Sequence, residues 1–257
     1  MYYTKKSIYI KELRRSANLY IGFPDSYLKT KKRYPVLYMH DGHNLFDPND
    51  AFIGVTWGVK EAYDNNPDLK EVIVVGLSCA EGLNRLQEYN IFPMRHKSIK
   101  GKKALKGYGE KYLKYLVEVL KPEIDSKYRT LTDANNTAIM GSSMGGVISN
   151  QAALLYPNVF GRIGCVSNAF YVSFEKILEF NKNGDFSKIK KFYMDVGDKE
   201  GSHKVSREYL LTNKAVYNVL KEKINKENLS FKIIRNGIHS ERAWAKRLPS
   251  ILKYLFS

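Results

Sequence analysis

Hydrophobic positions along the chain fall into two kinds of run. Alternation over Ser7 to Leu13, with Ile8 and Ile10 on one face, predicts an edge strand, and Asn18 to Phe23, ended by Pro24, predicts a second. Tyr34 to His40 and Glu71 to Leu77 (Val72-Ile73-Val74-Val75) are continuously apolar and β-branched, the pattern of strands covered on both faces. Between them, Trp57 to Asn65 reads as a short helix. Tyr108 to Leu120 has helical period, with Tyr108, Tyr112, Tyr115, Leu116, Val119 and Leu120 on one face, and Lys121-Pro122 is expected to close its regular part. Beyond it, strands are predicted at Thr137 to Met140, Arg162 to Val166, Lys191 to Val196 and Leu229 to Arg235. They are separated by helices ending near Tyr156, at Phe174 to Phe180 and at Val205 to Lys223, and a last helix runs from about Ser240 to Phe256. Strands alternating with helices predict an α/β fold with a mostly parallel, doubly wound sheet flanked by helices, and two antiparallel strands leading in. No linker or repeat divides residues 1–257, so a single domain is expected. Residues 78–106 form a long irregular stretch expected to be a substrate-side loop or cap segment.

The chemistry concentrates where the strand Thr137-Ala138-Ile139-Met140 runs into Gly141-Ser142-Ser143-Met144-Gly145-Gly146. This is the G-x-S-x-G form of a nucleophile elbow centred on Ser143. A serine in so sharp a turn exposes its hydroxyl above the sheet. Gly141 and Gly145 let strand and helix approach, and the Met144 N–H at a helix N-terminus is placed to donate to an oxyanion. A plain Gly/Ser helix cap is the alternative reading of the same six residues.

Such a serine needs an acid and a histidine later in the chain, each just past a strand end. The turn Gly197-Asp198-Lys199-Glu200 follows one late strand, and Asn236-Gly237-Ile238-His239 follows the next. His239 is the expected general base. Glu200 is the favoured acid and Asp198 the second candidate, while His203 is assigned to the surface. The second oxyanion donor is expected from the Gly42-His43 backbone, in the turn His40-Asp41-Gly42-His43 after the third strand. A plain Asp-Gly turn is the structural alternative there.

Composition narrows the reading without redirecting it. Hydrophobic content of 44% and aromatic content of 13% belong to a globular chain. A net charge of +16 invites a nucleic-acid reading, but 31 of the 42 basic residues are lysines and they are spread along the whole sequence. No specific nucleic-acid or membrane partner is expected. Cys79 and Cys165 lie in apolar segments as free thiols, and neither they nor the His40/His43 pair has zinc-ligand spacing. No metal or other cofactor is expected, and the charged first fifteen residues suit a cytoplasmic protein rather than a signal peptide.

With these residues in place the chain resembles the esterase family of α/β-hydrolases that includes esterase D, enterochelin-esterase-like hydrolases, feruloyl esterases and mycolyl transferases. The resemblance rests on the block Tyr34 to Asp47, the elbow Thr137 to Gly146 and the Tyr128 to Leu131 segment. It extends to a C-terminal block carrying His239, Glu241, Trp244, Leu248, Pro249, Leu252, Tyr254, Leu255 and Phe256. It implies the α/β-hydrolase fold and ester chemistry at Ser143. Two positions depart from the family pattern. His43 stands where glutamine is usual, and Ser167-Asn168-Ala169-Phe170-Tyr171 replaces Ser-Pro-Ser-Phe-Trp.

The expected function is therefore a serine hydrolase cleaving a small-molecule carboxylic ester through an acyl-enzyme. An acyltransferase with the same residues, or a non-catalytic binding protein on this scaffold, is the alternative. Trp57, Arg85, Arg95, Phe170 and Tyr171 are the expected substrate-side residues, with Arg85, Arg95 and His96 as an electropositive rim suited to an anionic or catecholate-bearing ester. Solvated loop charges are the plainer reading of that rim.

Overall fold

Residues 1–94 and 104–257 are described by the computed structural model. Their strands form one eight-stranded sheet in the order β1-β2-β4-β3-β5-β6-β7-β8. The hairpin β1 (Tyr2–Ile10) and β2 (Arg15–Phe23) is antiparallel, and β2 joins β4 (Ile73–Leu77) antiparallel. The other pairings are parallel, through β3 (Val36–His40), β5 (Thr137–Ser142), β6 (Arg162–Val166), β7 (Lys191–Lys199) and β8 (Leu229–Ile238).

The helices are α1 (Val59–Asp64), α2 (Leu83–Glu88), α3 (Gly109–Tyr115), α4 (Lys121–Lys127), α5 (Met144–Leu155), α6 (Phe174–Asn183), α7 (His203–Leu220), α8 (Glu241–Ala245) and α9 (Leu248–Leu255). They cover both faces of the sheet, and the period of two in β3 and β4 shows how. Val36, Tyr38, Ile73 and Val75 join one core with Tyr112, Leu116, Val147, Ile148 and Val216. Leu37, Met39 and Val74 face the other way and pack with Trp57, Val59, Trp244, Leu248 and Ile251. A strand with two buried faces has no polar side to show, which is why these runs lack alternation.

Several boundaries differ from the pattern reading. The first strand begins at Tyr2 and stops at Ile10; Lys11 to Arg14 make the hairpin turn, with Arg14 at φ 53°. The helix over Tyr112 does not close at Pro122. Leu116–Leu120 form a π-helical turn and the helix continues as α4, with Pro122 in its first turn. A wider turn relaxes the i→i−4 ladder just where a proline has no N–H to give. The expected final helix is two pieces, α8 and α9, broken at Lys246-Arg247 ahead of Pro249. The expected cap segment contains α2 and a bridge between Met94 and Leu105.

Because β3, β5, β6 and β7 are parallel and in register (Ser142 beside Val166, Val166 beside Asp195), their carboxyl ends open onto one edge. Asp41, Ser143 and Ser167, each just past such an end, all have positive φ (56°, 58° and 46°). Backbone of that kind in non-glycine residues costs of order 1–3 kcal/mol and persists only where its surroundings fix it.

Candidate active site

Ser143 sits at φ 58°, ψ −118°, between β5 and α5. Its N–H donates to the Val166 carbonyl (2.9 Å), and its own carbonyl accepts from Val147 and Ala169 (3.2 Å each). Three backbone bonds therefore hold a conformation that the residue would not choose. Met144 is the first helical residue, and a first-turn N–H has no acceptor within its own helix. The surrounding glycines are dictated by contact. A Cβ at Gly141 would lie 2.9 Å from the His40 ring, and one at Gly146 would lie 1.9 Å from Asn168 Oδ1.

β7 and β8 lead to the candidate acid and the candidate histidine. Gly197 and Gly237 pack so closely that a Cβ on Gly197 would meet the Gly237 carbonyl oxygen at 2.2 Å, and this brings the two strand exits together. His239 Nδ1 lies 2.7 Å from Glu200 Oε2, and Glu200 Oε1 accepts the Gly197 N–H at 2.6 Å. Burial pushes the Glu200 carboxyl up. Hydrogen bonds from His239, the Ser167 hydroxyl and the Gly197 N–H outweigh it and hold the pKa below its ordinary value. Asp198 Oδ1 is buried without a hydrogen-bond partner among the described residues, and Asp195 is engaged elsewhere. Arg247 donates to both Asp195 oxygens (2.7 and 3.1 Å), and the carboxylate also accepts from the Ser167 N–H and the Tyr193 hydroxyl. The break between α8 and α9 is what lets Arg247 turn inward. His203, the first residue of α7, is exposed.

Around His239 the packing is aromatic. Trp244 meets its ring edge-on at 4.9 Å and Tyr209 lies 5.3 Å away, all centroid to centroid. Burial drives the Tyr209 phenol well up, Tyr171 raises it further, and a hydrogen-bonding interaction with Ser143 lowers it. Tyr209 thus adjoins both Ser143 and His239. The Ser167 hydroxyl accepts from Trp244 Nε1 (3.0 Å) and Arg247 (2.9 Å), which leaves its own proton for Glu200.

Opposite the elbow, the turn after β3 rides on β4. A Cβ at Gly42 would lie 2.4 Å from the Gly76 carbonyl carbon, so only glycine fits. The turn's internal bonds run from Asn44 N–H to Asp41 (2.8 Å) and from Leu45 N–H to Gly42 (3.3 Å), and neither uses the Gly42 or His43 N–H. Arg85 grips Asp41 with two 2.7 Å bonds. Burial alone would raise the Asp41 pKa, but Arg85, with His43 and Cys79 adding to it, brings it down to about 2. Beneath, the Tyr89 hydroxyl accepts the Asp41 N–H (3.0 Å) and His40 Nδ1 lies 2.8 Å from the Tyr112 hydroxyl. Burial lowers the His40 pKa to about 3, with Asp41 raising it and Arg85 lowering it.

The expected substrate-side residues scatter. Arg85 is committed to Asp41; Trp57 is buried and stacked on Trp244 at 5.5 Å. Phe170 is buried too, whereas Tyr171 is 40% exposed with its ring 5.0 Å from Tyr209. Arg95 and His96 lie outside the described residues. Tyr209, Ser167 and Arg247 were not singled out by sequence. Tyr209 is one aromatic among many on a long helix, and nothing local ties Arg247 to Asp195. A recess of about 350 Å³ beside the hairpin, lined by Arg14, Arg15, Asn84, Glu88, Tyr108 and Lys111 among others, contains none of the sequence-predicted site residues.

Comparison with known proteins places the chain by family and by fold. Residues 10–255 match the family described as "Putative esterase". YbbA of Bacillus subtilis, described as uncharacterized, is 27% identical over 249 residues, covering 94% of this chain and 92% of that protein. An endo-1,4-beta-xylanase/feruloyl esterase of Xylanibacter ruminicola is 26% identical over 195 residues, 75% of this chain and 24% of its own length. Among solved structures, an IroE-like serine hydrolase from Shewanella oneidensis superposes with TM-score 0.77 at 19% identity, over 99% of this chain and 80% of that one. The enterobactin esterase FES of Shigella flexneri gives 0.76 at 16%, over 100% and 59%. At these identities the superpositions speak for the fold. The family match spans the elbow, the acid turn and His239, and the chain belongs to this esterase family.

Proposed function

We propose that this chain is a serine hydrolase that cleaves carboxylic esters through an acyl-enzyme, with Ser143 as nucleophile, His239 as base and Glu200 as acid. The observation that carries the reading is the 2.7 Å bond between His239 and Glu200, formed beside a serine held at φ 58° on a helix N-terminus. A carboxylate facing Nδ1 keeps the proton on that nitrogen and leaves Nε2 free to accept one. In the proposed cycle Ser143 Oγ attacks the ester carbonyl and its proton passes to His239 Nε2. The imidazolium, stabilised by Glu200, then protonates the leaving alcohol. Water repeats the sequence and releases the acid. Met144 N–H and the Gly42-His43 backbone receive the oxyanion, and such donors are worth about 3 kcal/mol each.

The substrate class follows from the surroundings. Aryl esters suit the aromatic wall of Tyr171 and Tyr209, and two of the matched relatives are described as feruloyl and enterobactin esterases. Arg85 serves in this reading as the brace of the oxyanion turn, and Trp57 and Phe170 as buried supports. Hydrolysis of p-nitrophenyl acetate and butyrate by wild type beside Ser143→Ala tests the proposal. Loss of kcat by about 10⁴-fold or more in a folded variant is expected. Equal turnover by the two proteins would overturn it.

A further inference from the structure

Among the described residues, a cluster of metal-ligating side-chain atoms joins the oxyanion turn to the end of β4, and the proposed mechanism uses none of these side chains. The ligand atoms of Asp41, His43 and Cys79 all lie within 4.8 Å of one another. The sequence has no metal-ligand spacing because the third ligand arrives from another strand. β3 and β4 are parallel with His40 beside Leu77, so the residues just past each end, 41 to 43 and 79, are brought face to face. We propose that Asp41, His43 and Cys79 form a binding site for a zinc-type divalent cation, which inhibits ester turnover by seizing the oxyanion turn.

The donor set fits the ion. One thiolate, one imidazole and one carboxylate satisfy the nitrogen and sulfur preference of zinc, with a fourth position open. In a tetrahedral zinc site the donor atoms are about 3.5 Å apart, so side-chain rotations of roughly 1 Å close the cluster. Asp41 keeps its bonds to Arg85 meanwhile, since each carboxylate oxygen has a second lone pair, and the guanidinium becomes the group that orients a ligand. The thiol of Cys79 interacts by hydrogen bonding with Asp41. The cation replaces that proton: a metal–sulfur bond forms, the S–H bond breaks, and the proton passes to solvent. His43 and Cys79 are only partly buried, which leaves the cation a way in. The consequence for activity is direct, because His43 contributes a backbone N–H to the proposed oxyanion donors. Drawing its imidazole onto a cation reorients that peptide. Cation binding is independent of the hydrolase reading, whereas inhibition rests on it.

Two measurements separate the two. Titration with Co²⁺ alone reports a thiolate ligand as a near-ultraviolet charge-transfer band, and calorimetry with Zn²⁺ gives affinity; neither needs turnover. The wild type is expected to show the band. Cys79→Ser, which retains Cys165, should lose it and bind Zn²⁺ at least about tenfold more weakly. His43→Gln, assessed by binding only, should weaken affinity likewise and serves if the serine variant fails to fold. Where p-nitrophenyl ester turnover is present, Cys79→Ser should need at least about tenfold more Zn²⁺ for half inhibition. That comparison excludes zinc captured by His239 and Glu200, which both proteins keep. Absence of the band in the wild type, or equal Zn²⁺ affinity in wild type and both variants, overturns the site. Equal inhibition despite a lost band overturns the inhibitory role.

Discussion

His40 makes the native state sensitive to mild acid in a way that can be worked out from its surroundings. The imidazole is buried under the elbow, bonded at Nδ1 to Tyr112, and its Nε2 has no hydrogen-bond partner among the described residues. A free histidine titrates near 6.5, and this one at about 3. Between those values the unfolded chain takes up a proton that the native chain refuses. Stability from His40 is therefore complete above pH 6.5 and is lost as pH falls toward 3. The linkage relation gives a loss of about 2 kcal/mol between pH 7.5 and pH 5, rising to about 4 kcal/mol at pH 3. Urea melts of wild type and His40→Gln at half-unit steps from pH 7.5 to 5 isolate the effect, because other titrating groups largely cancel in the difference. The wild type should lose about 2 kcal/mol more than the variant over that span, with a slope approaching 1.4 kcal/mol per pH unit at its lower end. A difference that stays flat within error would refute the reasoning, because His40 would then be protonated or solvated in the native protein.

Two further outcomes follow from particular contacts. Glu200→Gln should lower kcat by about 10² to 10⁴-fold on p-nitrophenyl esters with the melting temperature little changed, since an amide can face Nδ1 with the wrong partner and favour the wrong tautomer; unchanged kcat would point to Asp198. Gly146→Ala places a methyl 1.9 Å from Asn168 Oδ1, whose amide nitrogen is pinned to the Cys165 carbonyl and Asn213, so a loss of about 1–3 kcal/mol is expected despite alanine's better helix propensity. Thermal unfolding decides the second, and a higher melting temperature would show that Asn168 can yield.

Legibility in the sequence depended on how far apart the interacting residues lie. The elbow is six consecutive residues, and the exits of β7 and β8 are marked by glycine turns, so Ser143, Glu200 and His239 could each be nominated locally. The alternating and continuous runs likewise identified the strands, because covering a strand on both faces leaves a mark within five residues. Pairings between distant segments left no such mark. Arg85 reads as a free loop charge until the fold delivers Asp41, forty-four residues away, to its guanidinium. Arg247 meets Asp195 only because the final helix breaks, and a helix-forming stretch ahead of a proline does not announce where it will turn. The continuation through Pro122 was hidden for a related reason, since a π turn is a response to packing and not to composition.

The three strained residues at the strand exits divide the molecule's interests. At Asp41 the Arg85 fork offsets the unfavourable backbone, and at Ser167 bonds from Trp244 and Arg247 do the same. At Ser143 only backbone bonds hold the strain, and the side chain's use, under the proposed function, is chemical. A library screened for heat resistance alone would thus tend to discard this serine in favour of glycine, while leaving Asp41 and Ser167 in place. Under the proposed function, directed evolution of this protein needs a turnover assay in every round, because at Ser143 durability and usefulness pull in opposite directions.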